Sequence, residues 1–166
     1  MRGALDDVCE IMGSDFLKDQ VTSNPNVTPF RHQVPDAVLD DILVRVAAYP
    51  WHEMPDDGGW DYGTNMDYLK ELCAYWVDGF DWRAQEARLN RFSNFRAPVD
   101  GIDMHFIYER GSGENPMPLM ISHGWPGYVA EFFNIIAPLA HPDRYGGDVA
   151  AAITVAVARE VDFFSN

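Results

Sequence analysis

Apolar positions along the chain change period near its middle. Between Val34 and Ala48, the residues Val38, Leu39, Ile42, Leu43 and Val46 recur at helical spacing, which predicts a first helix. Pro35 suits its first turn, and Pro50 ends it. Trp51 to Gly63 is rich in Pro, Gly, Asp and Trp and reads as loop. Asn65 can cap a second helix, with Met66, Leu69, Leu72, Cys73 and Trp76 as its buried face and Gly79 as its stop. Asp81 can cap a third, running through Trp82, Ala84, Arg88 and Leu89.

From Phe95 onward the period drops to two. Phe95 to Val99 reads as extended, and Asp100-Gly101 is a strong hairpin turn signal. Ile102, Met104, Phe106 and Tyr108 then share one strand face, with Asp103 and His105 opposite and Ile107 breaking the polar side. On that alternation His105 is a solvated histidine. Leu119, Met120 and Ile121 form a short apolar strand of the buried type. Val129, Phe132, Phe133 and Ile136 give a helix ended around Pro138; His141 to Gly147 is loop; Ile153 to Ala158 is another buried strand. The order is helices, a hairpin, then strand–helix–strand. It predicts an α/β chain, with a helical arm joined to the start of a parallel sheet. Three regions follow: a polar lead-in at 1–24, a helical region at 25–92 and a sheet region at 93–166.

Charge narrows the partners. The formal charge is −14, from 26 acidic and 12 basic side chains. Such a surface repels nucleic acid and anionic lipid, so neither is expected as a partner. Acidic residues break up the first twenty positions, and the longest apolar run, Val149 to Ala158, is too short to span a bilayer. Cys9 and Cys73 leave room for one disulfide at most, and a reducing cytoplasm is the plainer expectation. His32, His52 and His141 lack metal-ligand spacing, so no metal is expected. The acidic residues Asp56, Asp57 and Asp61 lack the spacing of a calcium loop and read as solvated. Trp51, Trp60, Tyr62, Tyr68, Tyr75, Trp76 and Trp82 read as packing aromatics rather than a ligand platform.

Chemistry concentrates at His123-Gly124-Trp125-Pro126-Gly127, placed directly after the apolar strand. A turn there can aim backbone N–H groups outward at the carboxyl end of the sheet, where open α/β folds bind ligands. Gly124 and Gly127 allow close backbone approach, and Pro126 fixes the turn and admits a cis Trp–Pro bond.

This segment resembles the oxyanion-hole motif of epoxide hydrolases, a branch of the α/β-hydrolases. Other segments are similar to the microsomal-type members: Trp60 to Asn65, Tyr68 to Leu72, Phe80 to Glu86 with Leu89-Asn90, Gly101 to Phe106, and Glu131-Phe132-Phe133. The resemblance covers Pro29 to Val157. It implies a helical N-terminal arm followed by the first strands of an α/β-hydrolase sheet. It also implies a small-molecule epoxide as substrate, opened by an aspartate to an ester that activated water then hydrolyses, with no cofactor. By resemblance, the Trp125 N–H is an oxyanion donor. The Trp125 ring and Pro126 meet substrate, and His123, Gly124 and Gly127 support the turn.

The family's nucleophile sits on a strand-to-helix elbow. Asp148 has a predicted strand after it, not before, and reads as a loop aspartate; Asp162 has too little chain behind it for the helix. The likeness ends just after Val157, as a truncation or a frameshift would produce. The 166-residue chain is therefore expected to be inactive alone, and its open sheet edge to favour aggregation or dependence on a partner. The alternative function is an inactive fragment or interaction arm.

Overall fold

The computed structural model describes residues 24–52 and 59–159. Cys9, Asp56, Asp57, Asp162 and nearly all of the predicted lead-in lie outside the described residues. Strand β1 is Thr28–Pro29, and helices α1, α2 and α3 are Asp36–Ala47, Met66–Asp78 and Trp82–Leu89. Strands β2, β3 and β4 are Asn94–Val99, Ile102–Glu109 and Met117–Ser122. A 3-10 turn at Val129–Phe132 leads into α4, Phe133–Ala140, and β5 is Ile153–Arg159. Two compact units result: residues 32–87, and residues 24–31 with 88–159.

Within the first unit, local chemistry starts and stops the helices. Pro35 is the N-cap of α1 and not its first helical residue. The Asn65 side chain accepts the Tyr68 N–H at 3.0 Å, and Asp81 accepts the Ala84 N–H at 2.9 Å, each filling an orphan donor. Gly79 closes α2 by donating to the Tyr75 carbonyl at 2.7 Å. Val34 and Glu86 meet where the Val34 N–H donates to Glu86 Oε1 at 2.6 Å. Arg83 Nη1 donates to Glu86 at 2.6 Å and to the Val34 carbonyl at 2.9 Å, and Nη2 pairs with Asp36. The Val34 N–H, then Arg83, hold the Glu86 carboxyl down to about 2.

The predicted buried face of α2 needs correction. Met66, Leu69 and Cys73 are half-buried, but Leu72 and Trp76 are exposed, and Val77 takes up the stripe instead. No residue of α1 or α2 is fully buried. The packing expected of the aromatics is not found: Trp60, Tyr62, Tyr68, Tyr75, Trp76 and Trp82 are all exposed, although Trp60 meets Tyr68 at 5.3 Å and Tyr49 meets Trp51 at 4.9 Å between ring centroids. Cys73 has no disulfide partner among the described residues.

The second unit holds a five-stranded sheet in the order β1-β2-β3-β5-β4. Its hairpin forms where Asp100-Gly101 predicts it. Val99 and Ile102 are the closing pair, and Asp100 (φ 50°) and Gly101 (φ 82°) both adopt the left-handed conformation that suits the twist of the strands. Strand β5 lies between β3 and β4, antiparallel to the first and parallel to the second. The sheet is thus mixed.

Both sheet faces are covered. Phe95, Ala97, Val99, Met104, Phe106, Ala158 and Val27 fill one, with the Phe95 and Phe106 rings stacked at 5.7 Å. Leu89, Ile107, Val129, Ile136, Val155 and Val157 fill the other. Each such aliphatic side chain contributes roughly 1.5–3 kcal/mol by leaving water. This two-sided burial overturns the solvated reading of His105, which is 3% exposed. Asn94 explains how an imidazole is tolerated there. Its Nδ2 donates to the Leu89 and Phe92 carbonyls at 2.9 and 2.7 Å, so its Oδ1 is left to accept from His105 Nε2 at 2.9 Å. Ile107, which broke the polar alternation, was the mark of the second core.

Two other expectations change. Strand β4 is an edge strand among the described residues, so Leu119, Met120 and Ile121 are half-buried rather than enclosed. Pro138 lies inside α4 and does not end it; the helix closes later, where the His141 N–H meets the Ala137 carbonyl at 2.8 Å. Proline removes its own N–H and crowds the preceding turn, but here the chain runs on for two more residues. No described helix is long and apolar enough to cross a membrane.

Candidate active site

Strand β4 delivers the chain to its carboxyl end at Ser122, which is paired with Ala158 near the same end of the parallel strand β5. The segment His123 to Gly127 is the turn that follows. It brings all five sequence-predicted residues together. The Trp125–Pro126 peptide is cis, the isomer this sequence admits.

Hydrogen bonds fix the turn from within. The Gly127 N–H donates to the Gly124 carbonyl. His123 Nδ1 lies 3.3 Å from the same oxygen, and since a carbonyl cannot donate, Nδ1 carries the hydrogen. The His123 Nε2 atom is shielded from water and has no hydrogen-bond partner among the described residues. Gly127 is required by space: a Cβ there would overlap the Gly124 oxygen and come within 2.5 Å of Glu131 Oε1. Gly124 differs, because a Cβ there would meet nothing within 4 Å. Its small size leaves open room in front of the turn.

Trp125 is 94% exposed, and Gly124 and Pro126 are exposed beside it. The Gly124 and Trp125 N–H groups have no acceptor among the described residues. Pro126 has no N–H to offer. The turn therefore presents unspent backbone donors at the end of a parallel strand pair, an arrangement that can stabilise a developing negative charge on oxygen.

Sequence reading missed the part played by Glu131. Its Oε1 accepts the Tyr128 N–H at 2.9 Å, while its own N–H donates to the Tyr128 carbonyl at 3.0 Å. The offset of three residues was the available signal, since it is that of a capping box, although Tyr128 stands where Ser or Thr is usual.

Other polar groups lie elsewhere. Asp148 Oδ1 accepts the Ala150 N–H at 2.9 Å and caps a short turn before β5, as a loop aspartate would. Ser112 donates to Asp143 at 2.6 Å, which holds that carboxyl below the usual carboxylate range. No group of three or more His, Cys, Asp or Glu side chains is placed to hold a metal among the described residues.

Comparison with known proteins settles the family. The family described as "Epoxide hydrolase N terminus" matches residues 27–132. This chain belongs to the epoxide hydrolases. A relative from Stigmatella aurantiaca (strain DW4/3-1) is 40% identical over 129 residues, 78% of this chain and 29% of the relative. Epoxide hydrolase 1 of Sus scrofa is 34% identical over 125 residues, 73% of this chain and 28% of that protein. The solved structure of Aspergillus niger epoxide hydrolase is similar with a TM-score of 0.69 and 28% identity, over 79% of this chain and 34% of that one. The chain thus corresponds to the N-terminal portion of the epoxide hydrolase fold, an α/β-hydrolase fold, and spans under a third of the two sequence relatives.

Proposed function

We propose that this epoxide hydrolase acts on a small-molecule epoxide through an aspartyl ester, and that the Trp125 N–H is one oxyanion donor for hydrolysis of that ester. The observation that carries the reading is Trp125 itself, an exposed residue whose N–H, like that of Gly124, has no acceptor among the described residues. Ester hydrolysis turns a carbonyl oxygen into an oxyanion, and an N–H not committed to another acceptor is available to meet it. The Trp125 ring and Pro126, exposed on the same turn, would contact the substrate. His123 and Gly127 would hold the turn and leave the proton transfers to other residues. The acidic surface speaks against nucleic acid as a partner. A reducing, cytoplasmic location belongs to the same reading, from a sequence whose two cysteines form no disulfide framework.

The test is a chimera in which residues 27–157 replace the matching segment of the Aspergillus niger enzyme, assayed for diol formation from styrene oxide. Trp125→Pro removes the N–H, and kcat should fall roughly 100- to 1000-fold. Trp125→Ala keeps the N–H and should act mainly on KM. Equal effects of the two substitutions on kcat would reject the donor role.

A second reading is a catalytically inactive arm. It is supported by the placement of Asp148 before β5 as a turn cap, which gives the described residues no strand–Asp–helix elbow. On this reading the purified 166-residue chain yields no diol from styrene oxide, and measurable turnover would exclude it.

A further inference from the structure

We infer that Glu131 is the positioning residue of the turn, its carboxylate fixing where the Trp125 N–H points. The inference rests on the reading of Trp125 as a donor and extends it to a residue outside the five-residue motif. Three observations converge. Glu131 and Tyr128 exchange two hydrogen bonds in opposite senses, the Tyr128 N–H to Glu131 Oε1 at 2.9 Å and the Glu131 N–H to the Tyr128 carbonyl at 3.0 Å, so the backbone bond brings the carboxylate back over the Tyr128 amide. The carboxylate lies so close to Gly127 that an added Cβ would come within 2.5 Å of Oε1. And Gly127 carries the bond that closes the turn onto the Gly124 carbonyl. Glu131 is thus a wedge under the downstream limb of the turn, and the absence of a side chain at Gly127 makes room for it.

The arrangement also sorts the donors. Of the amides from Gly124 to Tyr128, Pro126 has none, Gly127 is spent on Gly124, and Tyr128 is spent on Glu131. Gly124 and Trp125 keep theirs. Freed from Glu131, the Tyr128 N–H would become a competing donor next to the turn, and the limb it anchors would relax.

What matters on this account is reach, and charge is secondary. Glu131→Gln keeps the length of the arm and an acceptor oxygen but loses the charge. Glu131→Asp keeps the charge but is one methylene short. Amide hydrogen exchange and NMR on the full 166-residue chain separate the two. Exchange at Tyr128 should be on the order of tenfold faster in Glu131→Asp and stay near the unsubstituted rate in Glu131→Gln, as loss or retention of one such bond implies. The Trp125 amide resonance should move in Glu131→Asp and return in Glu131→Gln. Amides in β5 and the end of α4 should be unaffected in both. Three outcomes overturn the inference: Gln behaves as Asp does, Tyr128 and Trp125 ignore Asp, or the change spreads evenly through β4, β5 and α4 as a general loss of stability would. The diol assay on the chimera judges the donor reading separately. A well-locked turn with an inert Trp125 N–H would leave Glu131 as a positioning residue and reject the donor.

Discussion

No residue of α1 or α2 is fully buried, whereas Ile107, Val155 and Val157 in the sheet unit are wholly excluded from water. The two units therefore rely on different forces. In the sheet unit, apolar residues from four strands, α4 and the end of α3 close over both faces, and burial supplies the stability. In the helical unit, caps at Asn65 and Asp81 and the cluster of Val34, Asp36, Arg83 and Glu86 do much of the holding, while Tyr62 is 78% and Val44 65% exposed. One unit should thus respond chiefly to lost volume and the other to lost polar partners.

The largest test of that contrast is a pair of truncations. Ile107→Ala removes a fully buried side chain from the second core and should cost about 2–5 kcal/mol. Leu72→Ala, at a position 43% exposed on α2, should cost under about 1 kcal/mol. Amide exchange measures each unit by its own protected amides. Similar costs at the two positions would erase the distinction.

A smaller effect is expected at the polar centre of the sheet unit. Asn94→Ala strands the Leu89 and Phe92 carbonyls and takes the acceptor from His105 Nε2. Leaving such groups buried and unsatisfied should cost about 1–3 kcal/mol in urea unfolding. A neutral substitution would mean that burial alone sets the register there.

The smallest effect, and the one diagnostic of the helical unit, is its dependence on pH. Glu86 is held down to about 2, first by the Val34 N–H and then by Arg83. A carboxylate with a depressed pKa stabilises the folded state fully above its ordinary value. That contribution fades as pH falls from about 4.5 towards about 2. Arg83 is 43% exposed, so water and salt weaken the pair. Amides of α1 near Val34 should lose protection across that window in the unsubstituted chain. In Glu86→Gln they should be less protected at neutral pH and flat across it. A Gln variant with the same acid profile would assign the loss to other carboxylates.

The candidate site was legible to a corresponding degree. His123 to Gly127 stand out because a glycine- and proline-rich turn follows an apolar run, a signal contained in a few adjacent residues. Glu131 was less legible. Its one local mark is the three-residue offset from Tyr128, and that the carboxylate folds back onto Gly127 depends on the fold of the turn. Pro138 misled for the opposite reason: its rule is local, but the helix here runs past it.

The sequence by itself determined the elements whose causes are short-range. Asp100-Gly101 set a two-residue turn because both positions must take positive φ, Asn65 and Asp81 started helices by capping amides three residues on, and the alternation from Ile102 to Tyr108 made a strand. Only the tertiary structure decided that β5 inserts between β3 and β4, that β4 stands at the edge, and that His105 is buried. Ile107 pairs with Val157 across fifty residues of chain, and that pairing places a second apolar layer over a face the alternation marks as polar. Periodicity records which side chains share a face of one element; what covers that face depends on residues distant in sequence.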